Sequence, residues 1–331
     1  MRTGVIGAGG LGQHHIRILR DLQGEDFAGF HESRPERAKQ VATELGVRAF
    51  DTLDALLDAV DAVTIVVPTP GHFAVATKVL ARGIHALIEK PIATTLAEAD
   101  EMLRLARAHG ALVQTGHVER FNRAIRAALP YVHTPRFIES DRLAPFNPRG
   151  ADVAVVLDLM IHDIDLVHTL VGGTVTSVAA VGVPVLTPFV DMANARLQFD
   201  TGAVANITAS RVSRERMRKI RIFQEREYIS LDLAAGNGEF FRLRDDVDMK
   251  ALATAPLALE QFVERIPLEA EEGEPLRLEF ESFLAAIRGE IPVAVSGEEG
   301  REALAVALQI VADIDRSLHP PPARAHQPAR A

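Results

Sequence analysis

The 331-residue chain contains no cysteine, which excludes disulfides, a thiolate nucleophile and cysteine-ligated zinc or iron–sulfur centres, and fits a reducing compartment. No apolar run approaches the ~18 residues of a membrane span. The opening, Met1 to Gly10, lacks the basic, apolar and cleavage regions of a secretory signal, so a cytoplasmic location with no membrane partner is expected. Positive charge is in deficit: 36 Lys and Arg against 45 Asp and Glu leave a formal net charge of −9. That is the wrong sign for a general nucleic-acid binder. Lysine itself is scarce. Lys39, Lys78, Lys90, Lys219 and Lys250 stand beside 31 arginines, so where a cation serves only solubility or surface pairing this chain writes Arg. A lysine in a prominent place is therefore informative.

What is present is ordinary for a globular protein, with 47% hydrophobic and 24% charged residues. At roughly 150 residues per domain, the length suggests two domains, each able to bury a core. Residues 1–118 alternate short apolar runs with amphipathic stretches, from Val5-Ile6 through Asp61 to Val67, His85 to Ile88 and Ala111 to Thr115. Ser33 with Pro35, and Thr95 with Glu98, are helix starts; Gly46, Gly83 and Gly110 are helix stops. Strict alternation of strand and helix implies a doubly wound α/β domain around a parallel sheet. From 119 to 318 the rhythm changes. Helices at 119–129 and 153–171 lead into strand-like segments at Val175 to Val185, Ala193 to Phe199, Val204 to Arg211, Ile220 to Gln224 and Tyr228 to Leu233, with helices near 273–288 and 298–318. That order predicts an α+β domain with a large, mostly antiparallel open sheet. The proline-rich tail, 319–331, is expected to be disordered.

Gly7, Gly9 and Gly12 form G-x-G-x-x-G between a strand and a helix, with Gly10 and Leu11 inside it. Such a loop lets backbone N–H groups approach a pyrophosphate at the helix N-terminus, as in the Rossmann fold. Glu32 lies 20 residues beyond Gly12 at the end of the second strand, where an acid binds ribose hydroxyls and disfavours the extra phosphate of NADP. NAD is the expected cofactor. Ser33 and Arg34 beside it are the residues that would accept such a phosphate. Pro68, Thr69, Pro70 and His72 follow a buried strand at its carboxyl end, either as a rigid turn or as cofactor contacts. Glu89-Lys90-Pro91 closes another strand at that edge, where an ammonium can donate to a reacting hydroxyl.

At about 100° per residue, Asp158, His162, Asp165 and Thr169 fall on one narrow helical stripe. Val155, Ile161 and Leu166 flank it, and Val156, Met160 and Val167 lie opposite. Charges so nearly surrounded by apolar surface need partners or a polar cleft. His168 sits about 80° off the stripe, so no metal site is assigned to His162, Asp165 and His168. Arg211, Arg214, Arg216, Arg218, Lys219 and Arg221 form a basic cluster, read either as a protected strand edge or as a site for an anionic substrate group.

The glycine motif, Glu89-Lys90-Pro91 and Asp158-x-x-x-His162-x-x-Asp165 together resemble the Gfo/Idh/MocA family of nicotinamide-dependent sugar oxidoreductases, from residue 1 to about 318. Met160 stands where the family often has Gly. The resemblance implies hydride transfer from a secondary alcohol of a sugar or nucleotide sugar. It implies His162 as general base, Asp158 as its orienting carboxylate and Lys90 as the donor polarising the substrate oxygen, with Arg120 and Asn122 as further substrate contacts. Imidazole, with an ordinary pKa of about 6.5, suits such proton exchange. Gly116 to Asn122 and Leu157 to Asp165 most resemble the branch that oxidises the 3-hydroxyl of UDP-N-acetylglucosamine on the way to lipid A. Oxidation of a free sugar or inositol, NAD-dependent glycoside cleavage and a non-catalytic NAD-binding regulator are the alternatives. A homodimer or homotetramer through the C-terminal sheet is expected from the family.

Overall fold

The computed structural model describes residues 1–148, 150, 152–245, 247 and 262–319. Of the tail expected to be disordered, all but His319 lies outside the described residues. Six strands form one parallel sheet: β1 (Thr3–Ile6), β2 (Phe27–His31), β3 (Ala49–Phe50), β4 (Ala62–Ile65), β5 (His85–Glu89) and β6 (Val113–Gly116). Their order is β3-β2-β1-β4-β5-β6. β1, β4 and β6 are buried at every position, so they carry no alternation of apolar and polar residues. The chain builds outward from β1 to β3 and then resumes at β4 on the other side. The carboxyl ends of β1 and β4 thereby flank the switch point at which such sheets bind ligands.

Helices α1 (Gly10–Gln23), α2 (Pro35–Leu45), α3 (Leu53–Leu57), α4 (His72–Leu80) and α5 (Leu96–His109) connect these strands. Their ends follow the local chemistry. Pro35 opens α2 and Gly46, at φ 65°, closes it. Thr95 accepts the Glu98 N–H at 3.2 Å while the Glu98 carboxylate accepts the Thr95 N–H at 3.1 Å, a reciprocal cap that starts α5. The helix expected at 119–129 is instead broken: a 3-10 turn at Val118–Phe121, α6 (Arg123–Ala128) and a second 3-10 turn at Leu129–Tyr131. Asn122 causes the break by standing in extended backbone and capping α6 through the Ala124 N–H, and Pro130 ends it.

A later helix completes the first core. In α8 (Pro275–Ile287), Phe280 and Phe283 pack with Val5, Ile16, Leu19, Phe30 and Leu87. Among the described residues, compactness groups Met1–Val132 with those of Ile229–Ala305, and those of His133–Tyr228 with Val306 to His319. The division expected at residue 118 follows chain order, whereas these units are each assembled from separated stretches.

The second sheet has eight strands in the order β14-β13-β12-β11-β7-β10-β9-β8. They are β7 (Phe137–Leu143), β8 (Val175–Val183), β9 (Met192–Phe199), β10 (Val204–Ser210), β11 (Met217–Gln224), β12 (Glu227–Asp232), β13 (Asn237–Leu243) and β14 (Val263–Leu268). β8–β9, β9–β10, β7–β11 and β13–β14 pair antiparallel, and β7–β10 pair parallel with Phe137 opposite Val204. The sequence reading did not include β13 and β14; their alternating charges and Pro267 hide them. Ile138, Ala195, Leu197, Ala205, Ile207, Ile220 and Ile222 are buried, with α7 (Ile161–Val171) packed on β7 and β10. The single helix expected at 153–171 is a π-helical turn, Val156–Met160, followed by α7. Val155 spends its N–H on the Val190 carbonyl at 2.8 Å, and the Ile161 N–H reaches five residues back to Val156.

α9 (Gly297–Leu318) is the last described helix. Phe280→Ala should destabilise the protein by about 3–5 kcal/mol through an unfilled cavity. Ile291→Ala, at an exposed position, should change stability by less than about 0.5 kcal/mol. Urea unfolding followed by circular dichroism checks the contrast.

Candidate active site

The loop between β1 and α1 contains glycines of two kinds. Gly7 has φ 100°, and a Cβ there would lie 2.7 Å from the Val66 carbonyl oxygen. A Cβ on Gly12 would collide with the Gly7 carbonyl. Packing within the chain demands both. Gly9 differs, because a Cβ on it would meet nothing within 4 Å. α1 begins beside it, at Gly10, Leu11 and Gly12, with no side-chain cap and no acid in its first turn. N–H groups at a helix start presented this way, next to open space, suit a pyrophosphate.

Glu32 stands immediately after β2, and its carboxylate accepts the Ala8 N–H at 2.9 Å and Arg34 at 2.9 and 3.2 Å. The bond from Arg34, opposed by burial and reinforced by Ala8, holds its pKa at about 2. The acid is thus ionised beside the glycine loop, with both oxygens accepting from the protein, at the place where such folds bind the ribose hydroxyls. Ser33 and Arg34 are exposed next to it. These residues fit NAD: an open anion cradle at Gly9 and a fixed acceptor at Glu32.

The turn after β4 keeps Pro68 and Pro70 at the surface with Thr69 half-buried, while His72 turns inward with both ring nitrogens facing carbonyl oxygens. His72 is therefore packed within the protein, contrary to the expectation of cofactor contact. Glu89 ends β5 with its carboxylate buried against His15 Nε2 at 3.2 Å, and it accepts the Lys90 N–H at 3.2 Å. Burial pushes the Glu89 pKa up, but the hydrogen bond and charge of His15, with Lys90, outweigh it and hold the carboxyl below its ordinary value. His15 Nδ1 lies 3.3 Å from Thr64 Oγ. Sequence reasoning missed His15; its signal was a histidine on the face of α1 that also carries Ile16 and Leu19. Lys90, half-buried and joined to Pro91 by a cis peptide, stands at this same edge.

The second unit carries Asp158 in the π-helical turn and His162 in the first turn of α7, both half-buried. Gly150, at φ 79°, approaches Asp158 so closely that a Cβ there would lie 2.6 Å from Oδ2. The residue after His162 was not foreseen. Asp163, 2% exposed, takes two hydrogen bonds from Arg142 at 2.6 and 3.1 Å and one from Ser140 at 3.0 Å. This buried pair fastens the start of α7 to β7. Its signal was an acid off the polar stripe, which must find a partner. Asp165 is also buried, and Thr169 donates to its carbonyl.

Arg120 and Asn122, expected to meet substrate, are engaged within the protein. Arg120 donates to Glu299 at 2.7 Å and to the Ala294 carbonyl at 3.2 Å. Asn122 donates to Glu119 at 3.1 Å and the Leu233 carbonyl at 3.0 Å, and its oxygen accepts the Ala124 N–H at 3.0 Å. Both N–H donors of Asn122 and its oxygen are thus in use, and its evident role is a helix cap. Arg211, first of the basic cluster, is likewise internal: it donates to the buried Asp191 at 2.8 Å and to the Gly150 carbonyl at 2.6 Å. Asp191 also accepts three backbone N–H groups, from Val185, Leu186 and Thr187. Against the effect of burial, these bonds keep its pKa well below the usual range. Arg221 pairs with Glu139 at 3.0 Å.

Comparison with known proteins places this geometry. Residues 1–117 match the oxidoreductase family with an NAD-binding Rossmann fold, and residues 125–230 match the GFO/IDH/MocA C-terminal domain. UDP-N-acetylglucosamine 3-dehydrogenase from Acidithiobacillus ferrooxidans is 40% identical over 315 residues, covering 94% of this chain and 96% of that protein. The solved structure of that enzyme superposes with a TM-score of 0.87 at 39% identity, covering 96% of this chain and 99% of the other. The WlbA dehydrogenase from Bordetella pertussis, in complex with NADH and UDP-GlcNAcA, shares the fold with a TM-score of 0.79 at 19% identity, over 96% of each chain. Scyllo-inositol 2-dehydrogenase from Bacillus subtilis is 29% identical over 238 residues, covering 64% of this chain and 68% of that protein. The chain belongs to the Gfo/Idh/MocA family of NAD-binding oxidoreductases.

Proposed function

We propose that this protein is an NAD-dependent dehydrogenase that oxidises the 3-hydroxyl of UDP-N-acetylglucosamine to a ketone. The observation that carries the reading is the likeness to the Acidithiobacillus ferrooxidans enzyme along nearly the whole of both chains. The scyllo-inositol relative is 29% identical against 40% for that enzyme, which favours the nucleotide sugar over a free polyol. A cytoplasmic setting goes with this reading.

When bound, NAD supplies the hydride acceptor. The α1 N-terminus and Gly9 would hold its pyrophosphate, with Glu32 as the acceptor for its ribose hydroxyls. Oxidising an alcohol also requires a place for the hydroxyl proton. His162 takes it on a ring nitrogen, and Asp158 orients that ring and stabilises the charge it gains. Lys90 donates to the substrate oxygen and favours its negative character as the proton leaves. The Arg142–Asp163 pair keeps the start of α7 in place, so that His162 starts from a fixed backbone.

We infer also that copies of the chain associate, as a dimer or tetramer, through the outer face of the eight-stranded sheet. Val181 and Val183 on β8 and Phe223, four strands away on β11, are exposed on that sheet and support this, since large exposed apolar side chains favour contact with another protein.

Three measurements test these readings. His162→Ala and Lys90→Met should each lower kcat for NADH formation from UDP-N-acetylglucosamine by about 10²- to 10⁴-fold with NAD binding nearly unchanged. Wild-type turnover in either would sink its role, and a faster reaction with inositol or a free sugar would replace the substrate. Gly9→Ala should raise the KM for NAD by at least about tenfold at unchanged thermal stability, whereas Gly12→Ala should lose stability. The double substitution Val181→Asp and Phe223→Asp should reduce the mass seen by light scattering; an unaltered mass would discard the sheet as the interface.

A further inference from the structure

His72 opens α4 yet is only 1% exposed. Its Nδ1 lies 2.9 Å from the Pro91 carbonyl oxygen, and its Nε2 lies 2.9 Å from the Val67 carbonyl oxygen. Carbonyl oxygens only accept, and a neutral imidazole has a single N–H. Only an imidazolium satisfies both. Burial draws the ring's pKa below its ordinary value, against the Val67 and Pro91 carbonyls, the charge of Glu89 and the backbone of Ile92, so the neutral ring has one proton to place. The bond to Pro91 is buried, whereas the bond to Val67 is partly exposed. A buried carbonyl left without a donor costs more than one that water can reach. The N–H therefore belongs on Nδ1, directed at Pro91.

Pro91 directly follows Lys90. Glu89 accepts the Lys90 N–H, and His72 holds the carbonyl one residue further on, so buried side chains fix the backbone on both sides of Lys90. We infer that His72 is a positioning residue for Lys90, acting from α4 through the Pro91 carbonyl and touching neither cofactor nor substrate. This role rests on the reading of Lys90 as the group that polarises the substrate oxygen.

An asparagine carboxamide reaches the place of Nδ1, and a glutamine carboxamide reaches that of Nε2, so the two amides separate the two bonds. His72→Asn, His72→Gln and His72→Leu are compared for kcat and KM with NAD and UDP-N-acetylglucosamine, and for NADH affinity by fluorescence titration. His72→Asn should keep at least about a third of kcat, while His72→Gln and His72→Leu lose about 10- to 100-fold, the cost of a displaced reacting group. NADH affinity should stay within about threefold in all three, because no cofactor contact is removed. In a Lys90→Met background, His72→Gln should cause no further loss, since both changes act through one group.

A drop in NADH affinity with kcat intact at saturation would make His72 a cofactor contact and overturn the inference. So would His72→Gln outperforming His72→Asn, or a further loss in the Lys90→Met background. Should His72→Leu fail to fold, the two amide variants decide the matter, with NADH binding reporting the integrity of the nucleotide site. Impaired Lys90→Met beside unimpaired His72 variants refutes the positioning role alone. Wild-type turnover in Lys90→Met refutes the Lys90 reading and the His72 role together.

Discussion

Burying a carboxylate is costly unless its charge and its hydrogen bonds are answered, and at Glu89 the answer draws on α1 and on three of the six strands of the nucleotide-binding sheet. His15 reaches it from α1 and is itself steadied by Thr64 on β4. The Lys90 N–H closes on it from the next residue. On β6, Gly116 makes room, because a Cβ there would lie 3.0 Å from the Glu89 carboxyl carbon. One acid thus fixes the helix behind the glycine loop relative to the strand that ends at Lys90. The glycine loop's helix and the lysine share a common anchor.

The second unit solves a related problem twice. Arg142 and Ser140 on β7 meet Asp163, so the residue beside His162 is locked to the sheet by a forked pair that is nearly dry. Asp191 gathers three backbone N–H groups and Arg211, which in turn holds the Gly150 carbonyl close to Asp158. Removing one partner from such a pair strands the other charge and costs several kcal/mol. The two acid–base candidates, Asp158 and His162, therefore stand on backbone whose geometry is set by charges that never reach solvent. Rigid support of this kind is what proton transfer over hydrogen-bond distances requires.

How much of this was legible from the residues follows from how local each cause is. The glycine loop, Glu32, the helix starts at Pro35 and Thr95, and the stops at Gly46 and Gly110 are all written within a turn or two of where they act. Asp158 and His162 were visible because a polar stripe on an apolar helix is a local pattern. The π-helical turn beneath them was not, since no local pattern marks the place where the Ile161 N–H reaches five residues back to Val156. Arg211 read as one cation among six until Asp191 was found beside it. His72 and Asn122 matched the composition of ligand-binding turns, but each also spends a polar atom on a carbonyl distant in sequence, Pro91 for His72 and Leu233 for Asn122. The pairing of His15 with Glu89 joins residues 74 apart, and no local pattern announces it.

The route by which the first core is completed has a consequence for synthesis. Phe280 and Phe283 belong to the same apolar cluster as Val5, Ile16 and Phe30, yet 164 residues separate Phe280 from Gly116 at the end of the parallel sheet. At about 5–20 residues per second, a ribosome needs roughly ten to thirty seconds to supply them. During that interval the emerging sheet and helices carry an open apolar face with His15 at its floor. The nascent chain therefore passes through a stage in which the nucleotide-binding half is written but not closed, and its exposure to chaperones and to its own neighbours on a polysome is set by the position of one late helix.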